Sequence, residues 1–118
     1  LYLLDIDNRR CALLNDQDRR TELAAASLDQ RWVANAALQF IFFADLELVE
    51  KEYGPRSYRF LNIAAGRFGQ RLYLGAAALN LGCCAVGAFY DRELIKACLL
   101  PDNFDPLYLV AVGPVVGK

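Results

Sequence analysis

The sequence predicts an α+β fold organised around one long helix. Three observations carry that expectation. Leu61, Ala65, Phe68, Leu72, Ala76 and Leu79 recur at three- and four-residue spacing, one apolar stripe through Arg56–Leu79. Asn80-Leu81-Gly82 then reads as a helix terminator, followed by an apolar, glycine-bearing strand at Cys83–Phe89. Ala37–Ala44 (ALQFIFFA) is nearly continuous apolar sequence with β-formers at its centre, which suits a strand covered on both faces; Leu107–Val112 reads as a final buried strand.

The remaining elements follow in order. Leu1–Ile6 and Cys11–Leu14 read as a hairpin turned by Asp7-Asn8. Asp16–Asp18 offer caps for a helix to about Leu28, with Leu23, Ala24 and Leu28 in helical register. Asp29–Ala36 makes a second helical turn, with Trp32 and Val33 packed inward. Asp45–Tyr53 is a short helix or a loop, broken by Gly54-Pro55. Gly66, Gly69 and Gly75 lie inside the long helix. Each costs about 1 kcal/mol relative to Ala, so they point to close approach by another backbone or a ligand; the alternative is tolerance within a tightly packed helix. Asp91 is a candidate N-cap for Arg92–Leu99, which Pro101 ends, and Gly113-Pro114 stops the last strand. No repeat, low-complexity segment or domain boundary interrupts residues 1–118, read as a single domain.

Composition narrows the function classes. With 118 residues and 56% hydrophobic content, the chain offers more apolar surface than a lone small domain needs. A partner surface is therefore expected, another copy of this chain first. A net charge of −1 with ten scattered arginines gives no electrostatic case for nucleic acid, though Arg67 and Arg71 leave a mild anion preference. The absence of histidine removes Ser-His-Asp and Cys-His nucleophile systems and most zinc chemistry, so no metal is expected. Cys11, Cys83, Cys84 and Cys98 show no C-x-x-C spacing and read as buried free thiols, which suits a reducing, cytoplasmic compartment. Leu72–Tyr90 carries no charge, which raises a membrane span; its Ala/Gly content and the Asn80-Leu81-Gly82 stop favour a helix followed by a strand. The lack of any Met fits a processed or partial chain.

Tyr53-Gly54, Arg56 and Tyr58-Arg59, then Ala65-Gly66, Gln70, Leu72 and Leu74, then Leu81-Gly82, Cys84, Gly87 and Phe89, and finally Ala111-Val112-Gly113, stand in an order that resembles the nitroreductase superfamily, most closely its SagB-type (azoline oxidase-like) branch. The resemblance implies a mixed, mostly antiparallel sheet flanked by helices, with a long central helix, here the C-terminal part and incomplete at the N-terminus. It implies FMN bound at the interface of a homodimer. The flavin edge near N5 and O4 would meet backbone N–H groups of Ala85, Val86, Gly87, Ala88 and Phe89, with Gln70 and Arg71 as further cofactor contacts. Tyr53 matches a tyrosine held to act in proton transfer; a structural aromatic in a turn is the other reading of it. Hydride would pass from NAD(P)H or a peptide-like or other small-molecule substrate. Three departures stand out. No R-R-S-x-R phosphate-gripping segment occurs, Glu52 replaces the lysine expected before Tyr53, and Lys118 is the only basic residue beyond the last strand. Arg71 also stands where Asn is expected. Two functional readings follow: an FMN-dependent oxidoreductase, or a degenerate nitroreductase-like subunit or fragment that holds no flavin and serves a structural or interaction role.

Overall fold

The computed structural model describes residues 1–115; Lys118 lies outside them. Ten elements follow one another: β1 (Tyr2–Asp5), β2 (Arg10–Leu13), α1 (Arg20–Ala26), α2 (Arg31–Ala34), β3 (Leu38–Ala44), α3 (Leu46–Tyr53), α4 (Ser57–Ala78), β4 (Gly82–Val86), α5 (Asp91–Ala97) and β5 (Asp105–Gly113).

β1 and β2 form a separate antiparallel hairpin. The other three strands form one antiparallel sheet in the order β3-β5-β4, so β5 is central and β4 has a free edge. Alternation along the strands divides the core in two. Leu109 and Ala111 of β5, with Val86, Ile41 and Phe43, meet α1, α2 and α5 on one face. Val110 and Val112, with Phe40, Phe42, Cys83, Ala85 and Tyr108, meet α4 on the other.

The long helix stops as its sequence requires. Asn80 takes a left-handed conformation at φ 55°, Asn80 N donates to Ala77 O at 3.1 Å, and Leu81 N donates to Ala76 O at 2.8 Å. This pair of bonds satisfies the last carbonyls and turns the chain into β4. Leu72–Tyr90 is thus a helix, a turn and a strand, and among the described residues no helix is long and apolar enough to cross a membrane. At the other end Gly54 sits at φ 75°, a region glycine tolerates, and separates α3 from α4. Ser57, 2% exposed, donates from Oγ to the carbonyls of Val49 and Gly54 and fastens the two helices together.

Several expectations are corrected. Val33 is fully buried, but Trp32 is 42% exposed, because α2 is a single turn that can turn only one side inward. Leu79 is 71% exposed; the helix ends before it, and Leu81 packs in its place. β3 lies at the sheet edge and is half-buried rather than covered on both faces. Asp91 is the first residue of α5 and not its N-cap, which is Tyr90. Of the four free thiols only Cys98 is buried; Cys11 and Cys84 are exposed, the first because the whole β1–β2 hairpin is.

Candidate functional site

The segment after β4 is the most suggestive backbone in the molecule. Pairing of β4 with β5 ends at Val86↔Leu109, so the strand is shorter than its apolar run, and Gly87, Ala88 and Phe89 leave the ladder. Among the described residues no acceptor takes the N–H groups of these three, whereas Tyr90 N donates to Ala26 O at 2.8 Å. Gly87 and Ala88 are exposed, and a Cβ at Gly87 would meet nothing within 4 Å. Unpaired donors beside an exposed glycine can receive an electron-rich ring edge or an anion. Val86 is buried and paired with Leu109. The Ala85 N–H is already occupied: it donates to Tyr73 Oη at 2.9 Å. Of the five residues singled out in the sequence, the available donors are therefore Gly87, Ala88 and Phe89.

An aromatic seam fixes this corner against α4. Tyr108 lies 6.2 Å from Phe42, and Phe42 stacks on Phe68 at 6.0 Å. Tyr108 Cε1 occupies the space a Cβ at Gly69 would need, at 2.6 Å. Gly69 is thus the interior glycine whose missing side chain the chain itself uses, while Gly66 and Gly75 face open space. Burial raises the Tyr108 pKa above its ordinary value, helped by the neighbouring Tyr73, Cys83 and Cys84. Burial likewise raises the Cys83 thiol. Both groups stay protonated at neutral pH.

Gln70 and Arg71 are exposed. They leave α4 within one turn of Tyr73, about 100° and 200° round the helix from the sheet-facing Gly69. The Arg71 guanidinium rests over the Phe68 ring at 5.7 Å, and no carboxylate pairs with it among the described residues. Tyr53 ends α3, 61% exposed. A hydrogen bond with Glu52, and the charge of Glu52, raise its pKa above the ordinary value, so the phenol stays protonated at neutral pH. Within one chain Tyr53 and the Gly87 corner do not meet. Tyr53 precedes the N-terminal end of α4, whereas β4 meets the helix at Tyr73, where the rise from Ser57 is roughly 24 Å.

The outer side of α4 leaves large apolar side chains uncovered, as the β1–β2 hairpin also does. Phe60, Ile63 and Leu74 are 51%, 55% and 62% exposed. They fall on one stripe with Arg67 and Arg71, opposite Gly69. Such a stripe on a helix of this length is uncommon in a surface meant for water.

The Nitroreductase family profile matches residues 6–114. The chain belongs to the nitroreductase family. A nitroreductase-named protein of Methanocaldococcus jannaschii is 37% identical over 98 residues, covering 83% of this chain and 48% of its own. A crystal structure described as a nitroreductase of Anabaena variabilis superposes with a TM-score of 0.91 at 30% identity, over 96% of this chain and 23% of that one. The NADPH:FMN oxidoreductase of Vibrio harveyi, solved with NAD+, superposes with a TM-score of 0.71 at 20% identity, over 88% of this chain and 49% of that one; this likeness shows the fold. The chain therefore spans about half the length of the M. jannaschii relative and a smaller part of the A. variabilis one. The nitroreductase-like α+β fold expected from the sequence is the fold observed.

Sequence reasoning passed over Tyr73. Its place one turn after Gly69 is visible in the sequence, but its acceptor role depends on where β4 begins.

Proposed function

We propose that this chain supplies one wall of an FMN site in a flavin-dependent oxidoreductase of the SagB-type branch, working by alternating hydride transfer. One observation carries the reading: among the described residues the three consecutive N–H groups of Gly87, Ala88 and Phe89 have no acceptor, and Gly87 and Ala88 are exposed. Donors near N5 and O4 stabilise the charge of a reduced flavin, and glycine lets the backbone come close. The residues fit the cofactor on that ground. FMN bound there would take hydride from NAD(P)H or a peptide-like or other small-molecule substrate and pass it to an acceptor. The chain's own part is to hold the ring edge through Gly87 and Ala88, to offer Gln70 and Arg71 to the rest of the cofactor, and to give a proton from Tyr53.

The separation of Tyr53 from the Gly87 corner supports a homodimer. Two copies of α4 packed antiparallel by Phe60, Ile63 and Leu74 would bring the Tyr53 end of one helix beside the C-terminal end of the other, where β4 begins. Four free thiols fit a cytoplasmic setting. Glu52, in place of the expected lysine, argues against azoline oxidation as the reaction.

The test is FMN titration of the full-length protein, read by absorbance and sedimentation. One FMN per subunit on a dimer is expected. A folded dimer that takes up no FMN would replace this reading with the flavin-free structural subunit.

A further inference from the structure

We propose that Tyr73 is a positioning residue for the Gly87–Phe89 amides: its phenol anchors the end of β4 to α4 and sets where those N–H groups point. The inference rests on the reading of that corner as the flavin-facing wall.

Among the described residues β4 is an edge strand, paired with β5 alone, and that pairing ends at Val86. An edge-strand amide ordinarily turns to water. Here the Ala85 N–H, two residues before the free amides begin, donates instead to Tyr73 Oη at 2.9 Å. The strand end is thereby held from both sides, by β5 along one edge and by a helix side chain along the other. Tyr73 itself is well placed to hold. It lies one helical turn beyond Gly69, on the same face, and Gly69 is the position where Tyr108 from β5 presses against the helix. Tyr108 thus fixes the distance of α4 from the sheet, and Tyr73 uses that distance to reach the free edge of β4.

Direction matters because a hydrogen-bond donor acts on a developing charge only when its aim is set beforehand. Released from Tyr73, the turn would keep its donors but spread their directions. The reduced flavin, which gains most from them, would lose more than the oxidised form.

The experiment uses the full-length protein. Tyr73→Phe keeps the ring and removes only the acceptor. With FMN bound, it is expected to cost roughly tenfold in the preference for reduced over oxidised flavin, a midpoint potential about 30 mV lower for the two-electron couple. In the FMN-free protein, hydrogen exchange at Ala85 is expected to quicken about tenfold, as for an amide whose bond has been opened. Tyr108→Phe keeps its ring against Gly69 and leaves both readings unchanged, which separates anchoring from general loosening. Ala85→Pro removes the same bond from the donor side, at an edge position that tolerates proline. It should lower the potential in the same direction, and it carries the test if Tyr73→Phe does not fold. FMN uptake with a potential that neither variant moves overturns this inference alone. A wild-type protein that takes up no FMN overturns the flavin reading and this inference with it.

Discussion

The two sides of α4 have the same kind of sequence and opposite surroundings. Toward the sheet, Ala65, Gly69 and Ala76 are buried, and Tyr108 fills the notch at Gly69. Away from it, Phe60, Ile63 and Leu74 are mostly exposed, and Gly66 and Gly75, on the two flanks between, face open space. Small residues on the inner side serve a contact the chain makes by itself. The exposed apolar residues on the outer side make no such contact among the described residues. The contrast separates what stabilises this domain from what the proposed dimer would use, and each half can be broken on its own.

The largest effect is expected on the outer side. Leu74→Asp places a charge on the proposed dimer face, where it would be buried without a partner. Self-association of the full-length protein is expected to weaken by about 3 kcal/mol or more, at least roughly 100-fold, in sedimentation equilibrium. The isolated chain should melt almost unchanged. Equal loss of stability in both would show that Leu74 is already packed within the chain.

Gly69→Ala tests the inner side. The new Cβ would stand 2.6 Å from Tyr108 Cε1, so a ring wedged between α4 and the sheet must shift. Overpacking of this kind costs about 1–3 kcal/mol, partly offset by better helix propensity; a denaturant melt should show a net loss. Gly66→Ala is the opposite case. With nothing within 4 Å, it should stabilise the isolated chain by up to about 1 kcal/mol, while weakening the dimer if a partner helix approaches there.

Cys98 gives an internal reference on the far side of the sheet, with the smallest effect near neutral pH. Burial pushes its thiol up to about 12 from an ordinary 9.0. The folded state thus holds a proton that the unfolded chain releases above pH 9. The stability this contributes is complete below pH 9 and is lost as pH rises toward 12, with a slope of about 1.4 kcal/mol per pH unit. At pH 8 the exposed Cys11 and Cys84 should alkylate readily in the folded protein and Cys98 should not. Fast labelling of Cys98 would mean that the α1–α5 side opens more easily than its packing implies.

The helix, its stop and the strands were legible because each rests on local chemistry. The stripe from Leu61 to Ala76 gave α4, the left-handed tolerance of Asn80 gave the turn, and the apolar runs gave β3 and β5. What periodicity does not tell is what covers a face. Gly66 and Gly69 look alike in sequence, and only Tyr108, far along the chain, distinguishes them. Trp32, Cys11 and Cys84 were expected inside because apolar residues usually are, yet a one-turn helix, an exposed hairpin and an edge strand left them out. At the candidate site, the Gly87 corner could be marked from its motif. The loss of the Ala85 amide to Tyr73 could not, since it depends on a bond between a helix and a strand edge.

The proposed flavin site turns on the amides at Gly87 and Ala88. Titrating FMN into 15N-labelled full-length protein, and following backbone resonances residue by residue, tests it most directly. The expected result is large shifts at Gly87, Ala88 and Phe89 saturating at one FMN per subunit, with Val110 and Ala111 at the sheet centre nearly still. Saturable FMN binding that leaves those three amides unmoved would contradict it.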